Sequence, residues 1–279
     1  MLESVSIVIP CFNEEYYIDK LLVSLANQTY LCFEIIIVDG GSTDRTRDVI
    51  SEVVHTHSHL QNKVSVYLSD KRGVAYQRNY GAARARYERL LFLDADVQVR
   101  SRFLELTLSE IAKKGLQLAT VEFEPLSTRV DDKLLYFIGN LYVKVQQFIE
   151  PVAMGVCIFS TKTVHALLGG FDETLKLAED YDYVSRAAQR GIMLKVLKKG
   201  KVYISVRRLN DEGRFNYYKK AVLSEVYRLL QDRESCDSIE YDFGKFSKHI
   251  EEPHFDIYEK DKAELWKKLL QALTIERKG

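Results

Sequence analysis

Two aspartates one residue apart, Asp94 and Asp96, close the apolar run "RLLFLDAD". On an extended strand, residues i and i+2 share a face, so the two carboxylates point the same way unless the chain turns between them. Held together they repel unless positive charge lies between them. A divalent cation is one resolution and a solvated strand end is the other. Carboxylates recur in comparable places. Asp39 closes "FEIIIVD", Glu14 follows "VSIVIPCFN", Asp70 ends "KVSVYLSD", and Glu179, Asp180 and Asp182 gather at the head of "EDYDYVSRAAQRG". Acids at a helix start complement its dipole, which is the plainer account of that last cluster. After Asp39, Gly40 and Gly41 permit a tight turn with close backbone approach. Ser42, Thr43 and Asp44 are residue types that cap a helix.

These side chains need elements to position them, and the first hundred residues alternate between strand and helix signals. "VSIVIP", "FEIIIVD", "KVSVYLSD" and "RLLFLDAD" read as apolar strands. Between them, "YYIDKLLVSLANQ", "DRTRDVISEVV" and "GVAYQRNYGAARA" read as helices; Ile18, Leu21, Leu22 and Leu25 recur at helical spacing. Continuous apolar strands separated by helices imply a mainly parallel sheet covered on both faces. Ligands bind such sheets beyond the carboxyl ends of the strands, where the polar residues fall. Further on, "LQLATVEFEP", "AMGVCIFS" and "MLKVLKKGKVYIS" predict strands. "DKLLYFIGNLYVKVQQFI", "TKTVHALLGG" and "AEDYDYVSRAAQRG" predict helices. After Ile204 the pattern turns basic and aromatic, with one later helical stretch, "KAELWKKLLQAL".

At 279 residues the chain can form one large domain or two modest ones. A formal net charge of zero argues against a bulk nucleic-acid binder. Cys11, Cys32, Cys157 and Cys236 are widely spaced and form no zinc pattern, which favours a reduced, cytoplasmic setting. The start of the chain lacks the basic and apolar regions of a signal peptide. No apolar run approaches the roughly 20 residues of a spanning helix. His165 and the His55, His57 and His59 group show no partners in the sequence and read as surface or loop residues.

Six motifs in order, "IVIPCFNEE", "IIIVDGGSTDRT", "RGVAYQRNYGAARA", "FLDAD", "GGFDETL" and "AEDYDYVSRAAQRG", resemble the family 2 glycosyltransferases of the GT-A fold. The resemblance runs from residue 5 to about residue 208. It implies an α/β fold with a Rossmann-like, mainly parallel central sheet flanked by helices. Residues 1–208 are then the catalytic domain. Residues 209–279 are a charged helical extension, packed on it or facing a membrane or partner.

The activity implied is inverting transfer of a sugar from a nucleoside diphosphate sugar, UDP-linked first, to a saccharide or lipid-linked acceptor. A hard divalent cation, Mn2+ or Mg2+, would neutralise charge building on the leaving diphosphate. By resemblance Asp96 is the metal ligand and Asp94 a ribose or metal contact. Asp39 would accept from the N–H of the base. Pro10 and Phe12 would wall the nucleoside, and Glu14 would lie near the ribose. Arg72 and Arg78 would meet the diphosphate, or Arg78 would instead pair with a core carboxylate such as Asp94. Met154 and Gly155 would line the acceptor and sugar pocket, or pack as a tight core strand. Arg207 and Arg208 would close over the diphosphate, or form a solvated or membrane-facing surface with Lys219 and Lys220. Asp180 would be the general base, with Glu179 beside it.

Three other classes compete. A sugar nucleotidyltransferase is expected to open on a glycine- and lysine-rich phosphate loop, where this chain has "IPCFNEE". A dinucleotide-dependent oxidoreductase is expected to show GxGxxG after the first strand. A non-catalytic nucleotide-sugar-binding module has no need of Asp39, Asp94, Asp96 and Asp180 together.

Overall fold

The computed structural model describes residues 2–214 except residue 176, together with residues 216, 219 and 220. The first half alternates as expected: β1 (Val5–Cys11), α1 (Ile18–Ala26), β2 (Phe33–Asp39), α2 (Thr46–Thr56), β3 (Val64–Leu68), α3 (Val74–Ala82) and β4 (Arg89–Leu93). Next come β5 (Val97–Val99), α4 (Phe103–Lys114), β6 (Ala119–Pro125) and α5 (Val130–Gln146). The described fold ends with β7 (Cys157–Thr161), α6 (Lys162–Leu168), α7 (Glu179–Gln189), β8 (Lys195–Ile204) and α8 (Arg207–Asp211). The expected domain boundary at residue 208 falls within α8, and "KAELWKKLLQAL" and Cys236 lie outside the described residues.

The strands form one sheet in the order β3-β2-β1-β4-β7-β6-β8-β5. Strands β3, β2, β1 and β4 run parallel. Strand β7 enters antiparallel to both β4 and β6, and β5 antiparallel to β8. The sheet is therefore mixed, with its parallel half holding the first three βα units. Strand β5 and helix α4 were not anticipated. The helix buries Phe103, Leu104, Leu108 and Ile111 on one face and stops at Gly115, whose φ of 61° suits a residue without a Cβ.

Alternate residues of β1 serve two cores. Val5, Ile7 and Ile9 pack with α1, α2 and α4, through Leu21, Leu22, Ile50 and Leu108 among others. Val8 faces the other side, with Ala75 and Ala82 of α3 and Val184 and Ala187 of α7. Each fully buried leucine or isoleucine contributes about 1.5–3 kcal/mol relative to exposure. Helix α3 lies close on the sheet because Gly81 faces β1; a Cβ there would stand 2.4 Å from Val8 Cγ1. That closeness carries Gln77 and Arg78 to the strand ends.

Between β1 and β4 the connections diverge to opposite sides of the sheet, a switch point of the kind at which parallel sheets bind ligands.

Candidate active site

Two loops beyond β1 and β2 are laced together by side chains. Ser42 Oγ accepts from the Asn13 N–H at 2.9 Å, Thr46 Oγ1 from Glu14 N–H at 2.7 Å, and Asp44 Oδ2 from Glu15 N–H at 3.2 Å. In return Asn13 Oδ1 accepts from Thr43 N–H and Glu15 Oε2 from Arg45 N–H. Asp44 Oδ1 also accepts from the Thr46 N–H at 3.0 Å, so it satisfies a free amide at the head of α2. Underneath, the buried Gln77 amide donates to the carbonyls of Cys11 and Val38, tying β1 to β2.

Asp39 is fully buried at the floor of these loops. Its Oδ1 accepts from the Ser42 N–H at 2.9 Å and from Ser42 Oγ at 2.6 Å. Its Oδ2 has no hydrogen-bond partner, and Arg47 Nε stands 3.5 Å away. An orphaned buried carboxylate oxygen is costly, and an incoming N–H donor would satisfy it. Phe12 and Arg72 come together beside this floor, with the guanidinium carbon 4.3 Å from the ring centroid. Pro10 pairs in register with Val38, and the β4 ladder with β1 stops at Val8.

The two aspartates of the opening run do not stay on one strand face. Strand β4 ends at Leu93 and the chain turns through Asp94, Ala95 and Asp96. Each carboxylate then meets its own arginine. Asp94 Oδ1 accepts from Arg78 Nη2 at 2.9 Å. Asp96 Oδ2 lies 3.2 Å from Arg207 Nη2. Burial pushes the Asp94 carboxyl up, and Arg78 opposes the rise.

Arg78 is 1 % exposed and stands at the centre of the site. Besides Asp94 it donates to Glu179 Oε1 at 2.8 Å and to the Gly155 carbonyl at 2.8 Å. Its guanidinium carbon also lies 5.2 Å from the Phe171 ring centroid. The core-pairing reading of Arg78 is thus the arrangement observed. The side chain binds the end of β4, the segment before β7 and the head of α7 into one cluster.

Asp180 enters that cluster from the other side. Its Oδ1 accepts from the Tyr181 N–H at 2.8 Å, and the Gly155 N–H also donates to the carboxylate. A Cβ at Gly155 would lie 3.0 Å from Asp180 Oδ2 and 3.1 Å from Arg78 Nη2, so the two side chains close over a glycine. Burial, reinforced by the Glu179 charge, pushes the Asp180 carboxyl up to about 7. Met154, next to Gly155, packs partly against the core.

Arg207 is buried, which corrects the solvated or membrane-facing alternative for this residue. It donates to both oxygens of Glu14 at 2.6 Å, and its guanidinium carbon lies 4.5 Å from the Tyr17 ring centroid. Glu14, expected near a ribose, is committed to this bidentate pair. Burial raises its carboxyl to about 7 against the pull of Arg207. Arg208, half-buried, acts electrostatically on Glu14 and Asp94 from α8.

Sequence reading missed two contributors. Gln77 and Tyr17 are described above. Asn79 clamps the "GGFDETL" loop, donating to the Phe171 carbonyl at 2.9 Å and accepting from the Phe171 N–H at 2.8 Å. A polar residue on an otherwise packed helix face was the available signal for Gln77. His165 corrects a surface assignment: its ring packs within an aromatic group with Phe92, Phe171 and Tyr183. Burial, with Arg186, pushes its imidazole down to about 4, so it is neutral at pH 7.

Residues 6–160, more than half of the chain, match the family described as Glycosyl transferase family 2. The chain belongs to that family. Among curated members of the glycosyltransferases, the family 2 chain is 28% identical over 198 residues to Glycosyltransferase AglE of Haloferax volcanii, covering 69% of the chain and 64% of that relative. It is 25% identical over 232 residues to the poly(ribitol-phosphate) beta-N-acetylglucosaminyltransferase TarS of Staphylococcus aureus, covering 81% and 39%. Solved folds agree. S. aureus TarS 1-349 in complex with UDP-GlcNAc superposes with a TM-score of 0.60 at 21% identity, over 72% of this chain and 58% of that one. The mannosyltransferase PcManGT of Pyrobaculum calidifontis, in complex with GDP-Man and Mn2+, gives 0.64 at 18% identity, over 83% and 65%. The chain spans less than two thirds of each of these relatives. Among the described residues no helix is long and apolar enough to cross a membrane.

Proposed function

We propose that this chain carries the transferase site of an inverting glycosyltransferase that takes a nucleoside diphosphate sugar, UDP-linked, and an acceptor hydroxyl. The observation carrying the reading is the convergence around Arg78. A buried carboxylate with a raised pKa, Asp180, stands beside the guanidinium that also holds the strand-end Asp94. Family membership and the named activities of the curated relatives support the same class.

In this reading the base of the nucleotide docks over Asp39, whose orphaned Oδ2 accepts its N–H, with Phe12 and Arg72 forming the wall. Asp180 removes the proton of the acceptor hydroxyl as that oxygen forms its bond to the anomeric carbon. The bond from that carbon to the diphosphate breaks, and its electron pair leaves with the diphosphate. One displacement inverts the centre, so an α-linked donor gives a β-linked product. A base with a pKa near the working pH is well matched to this task.

A divalent cation fits the residues present. Asp94 and Asp96 offer hard oxygen donors, and each keeps one oxygen outside its arginine pair. Among the described residues no group of three or more candidate ligands exists, and two carboxylates suffice when phosphates and water complete the shell of a Mg2+-type ion. When bound, the ion would supply charge neutralisation at the leaving diphosphate.

A donor panel tests the reading. Nucleotide sugars are incubated with the protein and Mn2+ or Mg2+, and nucleoside diphosphate release is measured. Release of UDP from a UDP-sugar is expected. No release from any donor would overturn the catalytic reading and leave a binding module. Pyrophosphate release from UTP and a sugar phosphate would favour the nucleotidyltransferase class.

A further inference from the structure

The head of α7 carries Glu179 and Asp180, and its own residues do little to hold it. Ala178 precedes the helix with φ 61° and ψ 27°, a left-handed conformation that is strained for a residue with a Cβ. Alanine also brings no side-chain cap to the first turn. Backbone strain at such a place persists only where the surroundings fix it.

Arg78 supplies one fixture, through Glu179. A second runs through Phe171. Its buried ring stacks on Tyr183 of α7, with centroids 4.2 Å apart and an interplanar angle of 18°. Tyr183 is itself fully buried, its hydroxyl 2.9 Å from Ser160 Oγ of β7. Asp180 lies three residues before Tyr183, one turn along the same side of the helix. Phe171 therefore packs against both the arginine that binds Glu179 and the helix that bears Asp180.

Asn79 places Phe171. Its amide meets the Phe171 backbone twice, accepting from N–H and donating to C=O as a neighbouring strand would. The same Nδ2 donates to Glu173 Oε1 at 2.9 Å. Gly170 admits the contact: its φ is 79°, and a Cβ there would stand 2.6 Å from Asn79 Oδ1. From the other side, Arg186 of α7 donates to the Gly170 carbonyl at 2.8 Å and to Asp182 Oδ2 at 2.7 Å. The loop is gripped between α3 and α7. Without Asn79, both backbone groups of a buried residue would lose this partner.

We propose that Asn79 is a positioning residue for the transferase reaction: through Phe171 it sets where the head of α7 holds Asp180 relative to Arg78. The proposal rests on Asp180 acting as the base, and Asn79 need not touch substrate to act in this way.

The test uses the full chain and the donor that the panel above selects. In Asn79→Ala, kcat should fall roughly ten- to a hundredfold, the scale on which a misplaced catalytic group acts. Affinity for UDP with Mn2+, measured by calorimetry, should stay within about twofold. In an Asp180→Asn background the same change should cost no further rate, since the group it positions is already disabled. Phe171→Leu leaves the backbone bonds in place and removes the ring; it should reproduce the loss, and it carries the comparison if Asn79→Ala does not fold. An unchanged kcat in a folded variant, an equal fold-loss in the Asp180→Asn background, or a parallel loss of UDP affinity would each overturn the proposal. Amide hydrogen exchange gives a readout free of turnover. The Tyr181 N–H bonds to Asp180 Oδ1, so it reports the placement of that carboxylate. Its exchange should quicken by roughly tenfold or more in Asn79→Ala or Phe171→Leu. Unchanged exchange would refute the link between Asn79 and α7. A panel that yields no donor would sink the catalytic reading separately, and Tyr181 exchange would still decide the link.

Discussion

A carboxylate accepts a proton near neutral pH only when its charge is made uncomfortable, and at Asp180 burial does this. With the folded carboxyl raised from 3.8 to about 7, transfer should rise through that pH as the carboxylate forms. Stability should move the opposite way. The folded state holds a proton that the unfolded chain has released, so stability falls as pH rises from about 4 to 7. Asp180→Asn should remove the pH trend in rate, leave in the stability trend only the share that Glu14, also raised to about 7, contributes, and lower transfer by roughly a hundredfold or more, while donor binding persists. Paired pH–rate and pH–melting curves read this directly; a wild-type rate in the variant would return the role to Glu179 or to neither. At the neighbouring turn, Asp96→Ala should abolish metal-supported donor affinity, because a hard cation loses an oxygen ligand. Calorimetry with UDP and Mn2+ measures it, and unchanged affinity in a folded variant would remove Asp96 as a ligand.

Elements meet at this site through side chains that are not themselves reactive. Arg78 joins β4, the segment before β7, and α7, and it is fully buried. Arg78→Met would leave Glu179 and Asp94 without their shared partner. Removing one partner from a buried ion pair costs about 3–5 kcal/mol, and the partial exposure of Asp94 places this case near 3. Denaturant unfolding checks it; a loss below about 1 kcal/mol would show that the cluster relaxes without the arginine. The two loops after β1 and β2 depend in the same way on Asp44, which accepts from the head of α2 and from Glu15. Asp44→Ala should cost about 1–2 kcal/mol.

For the molecule as a whole, the proposed nucleotide site lies at the switch point between β1 and β4. Asp39 ends β2 with one oxygen orphaned, and in the proposed reading that oxygen accepts the N–H of uracil. A thermal-shift panel of nucleoside diphosphates with Mn2+ should therefore show its largest stabilisation with UDP. A larger shift with GDP would sink the uridine assignment and leave the family and fold untouched. Guanine belongs in the panel because its N–H groups can meet the same acceptor.

Local order in the chain determines much of this. The β1 to β4 strands and the helices between them are legible because a two-face-buried strand must be continuously apolar and its helix must repeat every three to four residues. Asp39, Asp94 and Asp180 are legible because they end or begin such elements. What lay beyond sequence was which arginine answers which carboxylate. Asp94 and Asp96 look like one pair along the chain, yet the turn after Leu93 sends them to Arg78 and Arg207, more than a hundred residues apart. The burial of Arg207 was equally hidden, since its basic neighbours suggest a surface. The antiparallel entry of β7 belongs to the same class of fact. An apolar strand reads alike in either direction, and only the packing of the whole sheet selects its sense. Pairing between distant charges follows from that selection, because it is the sheet that brings their elements to one end.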